Sequence, residues 1–141
     1  MRIYISGKIG EEVISEATRQ KFVKAKEMLM ATGRFTEIFD PTDDRWQREL
    51  KRGYETQSYE PDGIPANKIP FHDYVLLRNL MALSLKDAIY FLDDWDKSSG
   101  AQSEHSFAMA TGKKMLWQRL EDAQVFHDDN EKADDVWLPI G

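Results

Sequence analysis

The sequence predicts a single α/β domain in which helices cover a parallel sheet of four to five strands. Three observations support this prediction. Short apolar segments alternate with segments of helical periodicity, glycine or proline separates most of them, and 141 residues is the length of one domain with its own core. Strands that are joined through helices lie parallel, with right-handed crossovers.

The opening of the chain predicts a β-α-β unit. Residues 2–6 are rich in β-forming side chains and are followed at once by a loop with Gly7 and Gly10, which predicts the first strand. Through residues 15–32 apolar side chains recur at helical spacing. Residues 35–39 then alternate as a short second strand, which an Asp-Pro pair ends.

Residues 40–70 predict a long loop insertion with a short helix near Trp46. The segment contains four of the five prolines and the aromatic residues Trp46, Tyr54 and Tyr59. A connection of this length inside a small domain is usually functional or disordered. Its aromatic side chains suit core or subunit contacts better than base stacking.

The second half of the chain predicts helices over residues 72–85 and 100–111 and strands over residues 88–92 and 115–117. Ligands of parallel sheets bind beyond the carboxyl ends of the strands. The loops that follow the first and the central strands, residues 6–10 and 93–100, are therefore the predicted site. Neither loop carries a G-x-G-x-x-G or P-loop motif, so a dinucleotide or kinase-like site is not expected.

Composition and charge exclude several classes of protein. The absence of cysteine excludes disulfides, zinc-thiolate sites and cysteine nucleophiles. A net charge of −6 disfavours a nucleic-acid polymer as partner. No apolar stretch has the length of a signal peptide or a membrane span, so we expect no membrane partner and a cytoplasmic protein. The three histidines lie far apart in sequence, and we expect neither a metal nor another cofactor.

Acidic residues are concentrated in two segments. Residues 93–96 contain three aspartates, which suit a solvated turn better than a cation site. The tail, residues 119–141, carries seven acidic against two basic residues. We predict that this tail is a solvated surface segment.

Glu104 is the candidate catalytic residue. On a helical projection it falls between Phe107 and Ala108, on the stripe expected to face the sheet. The nearby helix start favours the ionised carboxylate and desolvation opposes it, a balance that suits a nucleophile or general base. The alternative is a capping or ion-pairing role, but Ser99 and Gln102 already fit a capping box.

Ser98 and Ser99 also have two interpretations. Both can cap the helix, or they can donate to an anion together with the backbone N–H groups of the helix start. Spacing alone favours the cap.

Several motifs together resemble the nucleoside 2-deoxyribosyltransferase-like proteins, and most closely a small, largely uncharacterised bacterial and phage branch of that superfamily. The resemblance covers the first strand and roughly residues 79–117. Its motifs are Arg2-Ile3-Tyr4-Ile5-Ser6-Gly7, Lys86-Asp87-Ala88-Ile89-Tyr90-Phe91-Leu92 and Ser98-x-Gly100-Ala101-x-x-Glu104, followed by Ala108 and Gly112-Lys113.

The resemblance implies a flavodoxin-like three-layer sandwich that cleaves the N-glycosidic bond of deoxynucleosides or nucleotides, with the sugar passing to another base or to water. Glu104 matches the nucleophilic glutamate of the superfamily, and Tyr4 matches a tyrosine that orients it. Sites of these enzymes are completed by a neighbouring subunit, so the resemblance implies a homodimer or larger assembly.

The resemblance also implies a set of substrate-binding residues. At Ser98 the transferases acting on free nucleosides carry aspartate, whereas related 5′-monophosphate hydrolases carry a serine that helps to hold phosphate. Serine here favours a nucleotide substrate. Gly7 and Gly100 would let backbone amides approach that phosphate, Lys8 would add charge, and Ser6 belongs to the same predicted set.

Asn79 departs from the pattern of the superfamily. The enzymes carry an aspartate there that assists proton transfer to the leaving base, and an amide can hydrogen-bond a base but cannot supply a proton. The leading hypothesis is an N-glycosidic enzyme with Glu104 as nucleophile and Asn79 beside the base. The alternatives are a nucleotide-binding or sensing module without turnover, and a structural protein that binds a partner through Trp46, Tyr54 and Tyr59.

Overall fold

The computed structural model describes residues 1–10, 13–56 and 69–141. Within this part of the chain, four strands form one parallel sheet in the order β2-β1-β3-β4. The strands are β1 (Arg2–Ser6), β2 (Glu37–Phe39), β3 (Ala88–Phe91) and β4 (Lys114–Trp117). The helices are α1 (Glu16–Ala31), α2 (Asp44–Thr56), α3 (Phe71–Ser84), α4 (Ser99–Ala110), α5 (Leu120–Phe126) and α6 (Ala133–Val136).

The order of the strands confirms the predicted α/β, flavodoxin-like sandwich. From β1 the chain passes through α1 outward to β2, and from β3 it passes through α4 outward to β4 in the opposite direction. Right-handed crossovers therefore place α1 and α4 on opposite faces of the sheet. The central strands β1 and β3 pair from Ile3 with Ala88 to Ser6 with Phe91, and every residue of β3 is buried, as the unbroken apolar run predicts.

Local sequence signals set the ends of the helices that join the strands. The hydroxyl of Ser15 accepts a hydrogen bond from the backbone N–H of Thr18, at 3.2 Å, and so caps the start of α1. Gly33 and Gly112 follow α1 and α4 with φ of 69° at both positions. This left-handed conformation is costly for residues with a Cβ, so glycine ends both helices.

The segment predicted as a long loop contains a helix of 13 residues, α2, much longer than the short helix expected near Trp46. Leu50 of α2 and Tyr74 of α3 form a small buried cluster, and the hydroxyl of Tyr54 donates to the carbonyl of Ile69 at 2.8 Å. The prolines of the segment all lie outside residues 44–56, so they do not interrupt the helix. Tyr59 and the rest of residues 57–68 lie outside the described residues.

The prediction of a solvated tail is wrong, because the tail packs against the edge of the sheet. Trp137 forms a parallel bridge with Trp117, and the N–H of Leu138 donates to the carbonyl of Trp117 at 2.8 Å. Val136 is fully buried. The prediction failed because acidic residues outnumber the few apolar residues of this segment that pack. The bridge at Trp137 continues the pairing of the sheet beyond β4.

Helix length and hydropathy bear on membrane association. The helix α1 has 16 residues. Among the described residues, no helix combines the length and the apolar character needed to cross a bilayer.

Candidate active site

A cavity of about 560 Å³ lies at the carboxyl ends of β1 and β3. Both predicted loops contribute to its wall, together with α2, α3 and the start of α4. Here neighbouring strands lead to crossovers on opposite faces, so the following loops separate and leave a crevice. The lining residues include Gly7, Lys8 and Gly10 from the first loop, Lys97, Ser98, Ser99 and Gly100 from the second, and Tyr4, Gln47, Asn79 and Glu104 from the strands and helices.

Glu104 lines this cavity and is only 5% exposed. The hydroxyl of Tyr4 donates to its Oε2, and the hydroxyl of Ser6 donates to its Oε1 at 2.7 Å. Burial raises the pKa of Glu104 to about 7, although the hydrogen bonds from Ser6 and Tyr4 act in the opposite direction. The carboxylate is therefore partly protonated at neutral pH and has both oxygens held in place.

The strand β1 brings Tyr4 and Ser6 to the same carboxylate because residues two apart in a strand share one face of the sheet. The ring of Tyr4 stacks on Phe39 of β2, with centroids 5.2 Å apart. Burial, and then the negative charge of Glu104, raise the pKa of Tyr4 well above its usual value, so the phenol remains a donor. Ser6, predicted to bind substrate, is 1% exposed and lies against Glu104 instead.

Asn79 lies on the α3 wall of the cavity and is 8% exposed. Its Oδ1 accepts a hydrogen bond from the indole Nε1 of Trp46, at 2.9 Å. The structure thus brings Tyr4, Asn79 and Glu104 to one cavity, although they come from β1, α3 and α4.

The first loop is held in place by Asp94 from the second. Asp94 Oδ1 accepts from the backbone N–H of Lys8 at 3.0 Å, and its other oxygen accepts from the ammonium of Lys21, which also donates to the carbonyl of Lys8 at 2.7 Å. A Cβ on Gly7 would lie 2.7 Å from Leu92 and 3.1 Å from Asp94. A larger residue at position 7 would therefore displace the side chain of Leu92 between the two loops.

Two of the three aspartates of residues 93–96 have protein partners, whereas Asp93 is exposed, as predicted for a solvated turn. Asp94 forms the ion pair with Lys21, and Asp96 accepts from the guanidinium of Arg119 at 3.2 Å. Among the described residues, no group of three or more acidic or histidine side chains is arranged to hold a metal ion.

Ser98 caps α4 by accepting a hydrogen bond from the backbone N–H of Ala101 at 3.2 Å. The predicted capping box of Ser99 and Gln102 is wrong, because the side chain of Gln102 donates instead to the carbonyl of Asp96 at 2.6 Å. Ser98 has used one lone pair of its hydroxyl in this cap. Its O–H can still donate to a ligand, since a hydroxyl both accepts and donates.

The family model of a domain of unknown function, DUF4406, matches residues 1–117. The chain belongs to the DUF4406 family.

The fold of this DUF4406 chain is that of the nucleoside 2-deoxyribosyltransferase-like proteins, as the motifs predict. A solved structure of a 2-deoxyribosyltransferase from the psychrotolerant bacterium Bacillus psychrosaccharolyticus superposes with a TM-score of 0.53 at 18% identity, covering 99% of this chain and 97% of that chain. No curated protein matches the sequence of this chain.

The sequence did not predict several of the residues that line the cavity, above all those on α2 and α3. Gln47, Phe71, His72, Val75 and Leu76 line the cavity. On α3, the positions of residues 72, 76 and 79 follow helical spacing and mark one face, a signal that was present in the sequence. Gln47 was not predicted because only a short helix, with no assigned face, was expected in that segment.

Proposed function

We propose that this protein cleaves the N-glycosidic bond of a 2′-deoxynucleoside or its 5′-monophosphate, with Glu104 as the nucleophile. The observation that carries the proposal is the buried carboxylate on the cavity wall, with hydroxyl donors on both oxygens and a pKa of about 7. A carboxylate with raised pKa is a stronger base than a surface carboxylate, and burial removes the water that would otherwise shield it.

The reaction proceeds in two steps. An oxygen of Glu104 attacks the anomeric carbon, and the bond from that carbon to the base nitrogen breaks with its electron pair on the base. Water or a second base then displaces Glu104 from the sugar, which gives hydrolysis or transfer. Tyr4 and Ser6 orient the carboxylate for attack and stabilise it again when it leaves.

The phosphate of a nucleotide would bind where the two loops meet. Lys8 and Lys97 bring positive charge to this part of the cavity wall, and Ser98, Ser99 and Gly100 form the start of α4 there. A helix start with a free hydroxyl donor and adjacent lysines favours an anion. These contacts support a 5′-monophosphate as the preferred substrate.

The test is base release from a panel of 2′-deoxynucleosides and their 5′-monophosphates, followed by chromatography. We expect release, faster for the monophosphates, and a loss of at least about a thousandfold in Glu104→Gln. Addition of a second base as acceptor distinguishes transfer from hydrolysis. No release from any compound, or equal release by Glu104→Gln, contradicts the proposal.

A second candidate function is a nucleotide-binding module without turnover. Asn79 favours it, because the amide cannot protonate a leaving base. Calorimetry that detects micromolar nucleotide binding without base release would support this candidate, and absence of binding would reject it.

We also propose a homodimer or larger assembly. Leu77, Met81 and Leu85 are exposed apolar residues spaced four apart along α3 and its end, beside the α3 residues that line the cavity. An apolar stripe of this kind is typical of a surface that a protein covers. Light scattering checks the assembly, and a monomer at micromolar concentration contradicts it.

A further inference from the structure

We propose that Trp46 fixes Asn79 as a hydrogen-bond donor to the departing base, so that the site releases oxo bases in preference to amino bases. Oxo bases, such as hypoxanthine and uracil, carry a ring carbonyl where adenine and cytosine carry an amino group. This inference rests on the proposed function and names the class of substrate that the site favours.

The orientation of Asn79 follows from the chemistry of its partner. An indole N–H can only donate, so the atom of Asn79 that lies 2.9 Å from Trp46 Nε1 is the amide oxygen. The amide nitrogen, with two N–H donors, is consequently the end that remains for a ligand. Because Asn79 lies on the cavity wall, the ligand in question is one bound in the cavity.

Trp46 is itself held in position by aromatic packing. Its ring meets Phe39 edge to face, with centroids 5.1 Å apart, and Phe39 in turn stacks on Tyr4. The guanidinium of Arg78 lies 5.5 Å from the centre of the Trp46 ring. A ring with neighbours on several sides cannot turn easily, so the direction of its N–H is fixed and fixes the amide.

No acidic side chain lies on the turn of α3 that carries Asn79, and the other titratable side chains of the cavity lie elsewhere. His72, the titratable side chain of α3 that lines the cavity, lies seven residues away, about 10 Å along the helix axis. Lys8 and Lys97 belong to the loops at the predicted phosphate site. The phenol of Tyr4 is already engaged with Glu104.

A base that leaves beside Asn79 departs with the electron pair of the broken bond and without a proton. When Glu104 forms its bond to the anomeric carbon, the negative charge of an oxo base spreads onto the carbonyl oxygen, and an amide N–H can stabilise it there. An amino base has no such oxygen at the equivalent position and presents N–H donors to the donors of Asn79. The released base takes its proton from water, and the water that later attacks the sugar gives one up.

The first experiment compares two matched pairs of 5′-monophosphates, deoxyinosine with deoxyadenosine and deoxyuridine with deoxycytidine. We expect the oxo member of each pair to be cleaved at least about tenfold faster, the effect of one well-formed hydrogen bond on a rate. Equal rates within both pairs overturn this inference alone. Cleavage of none of the four overturns the proposed function and this inference with it.

Two variants separate the role of the amide from that of the fold. Asn79→Asp replaces the amide with a carboxyl group that accepts from an amino base when ionised and donates a proton to it when protonated, so release of amino bases should increase at least about tenfold more than release of oxo bases. Trp46→Phe keeps a ring against Phe39 but removes the indole donor, so the preference for oxo bases should fall several-fold. Tyr54→Phe, on the same helix α2, is the matched control and should leave the preference unchanged.

The ratio of the two rates within a pair is the decisive measurement, because general loss of folded protein lowers both members equally. An unchanged ratio in a folded Trp46→Phe overturns the positioning role. If that variant does not fold, Asn79→Asp decides: an unchanged ratio there overturns the inference, and a ratio shifted toward amino bases supports it.

Discussion

The helix α4 places two neighbouring titratable side chains in opposite environments. Glu104 faces the cavity with a hydroxyl donor on each oxygen. The next residue, His105, lies among Phe91, Trp95 and Phe126, with ring centroids 4.8 to 5.4 Å away. Its Nε2 is buried and has no hydrogen-bond partner among the described residues. Both side chains are buried, but only Glu104 has hydrogen-bond partners on its polar atoms and lines the cavity.

The two environments shift the two pKa values in opposite directions for the same physical reason. Burial disfavours the charged form of each side chain, so it raises the pKa of the acid Glu104 to about 7 and lowers the pKa of the base His105, where Asp122 opposes the effect. Near neutral pH, Glu104 can therefore change its charge while His105 stays neutral. We infer that the aromatic side of α4 stabilises the fold, whereas the cavity side carries the carboxylate of the proposed reaction.

The largest effect expected from this comparison is loss of stability on the aromatic side. Trp117→Ala removes a fully buried ring that stacks on Phe91, with centroids 4.5 Å apart, and on Phe126. We expect the free energy of unfolding to fall by about 3–5 kcal/mol, measured by urea denaturation. Base release per folded molecule should stay the same, and a specific loss of activity would break the division between the two sides.

Replacement of the cavity carboxylate should have the opposite effect on stability. The folded pKa of Glu104 is raised, so the unfolded chain ionises more readily and stability falls as the pH rises from about 4.5 to about 7. Glu104→Gln removes this penalty. We expect the variant to be more stable than the wild type by about 1–3 kcal/mol at pH 8 and similar to it at pH 4.5. Equal free energies of unfolding at pH 8 would show that burial of the ionised Glu104 does not destabilise the fold.

A smaller effect is expected from the donor on Oε2. Tyr4→Phe keeps the buried ring but removes a hydrogen bond that lowers the pKa of Glu104. Activity that needs the ionised carboxylate should rise with pH through about 7 in the wild type. In the variant this rise should move to higher pH, with a loss of about tenfold at pH 7. Ser6→Ala should move the profile in the same direction, and an unmoved profile in both would contradict the assigned role.

The smallest effect concerns His105. Its folded pKa is lowered, so the stability of the wild type is complete above the unfolded pKa and falls as the pH drops below it, when the unfolded chain gains a proton first. His105→Phe should abolish this part of the acid sensitivity and leave the pH profile of activity unchanged. Thermal unfolding at pH 5.5 and pH 8 makes the comparison, and a changed activity profile would link His105 to the site.

Local patterns in the sequence were enough to predict the four strands and the helices α1, α3 and α4, because periodicity and glycine stops are local properties. They also placed Glu104 on the inward face of α4. They could not predict that Ser6 lies against that carboxylate or that Trp46 meets Asn79, because these contacts join residues 98 and 33 positions apart. The packing of the tail was not predicted for a related reason, because charged residues outnumber the few residues of the tail that pack against the sheet.

The hydrogen bonds of Asp94 to Lys8 and Lys21 affect the charge that a ligand would meet near the first loop. A carboxylate so close to the first loop would by itself repel a phosphate. The ammonium of Lys21, from α1, is paired with it and offsets its negative charge. The hydrogen bonds of Asp94 thus hold the loop in shape, while Lys21 offsets the negative charge of this carboxylate, which favours the anion site proposed at Lys8 and Lys97. Lys21 is thus the counter-ion of a carboxylate that holds the loop in shape, and Lys8 and Lys97 are the lysines of the proposed ligand site.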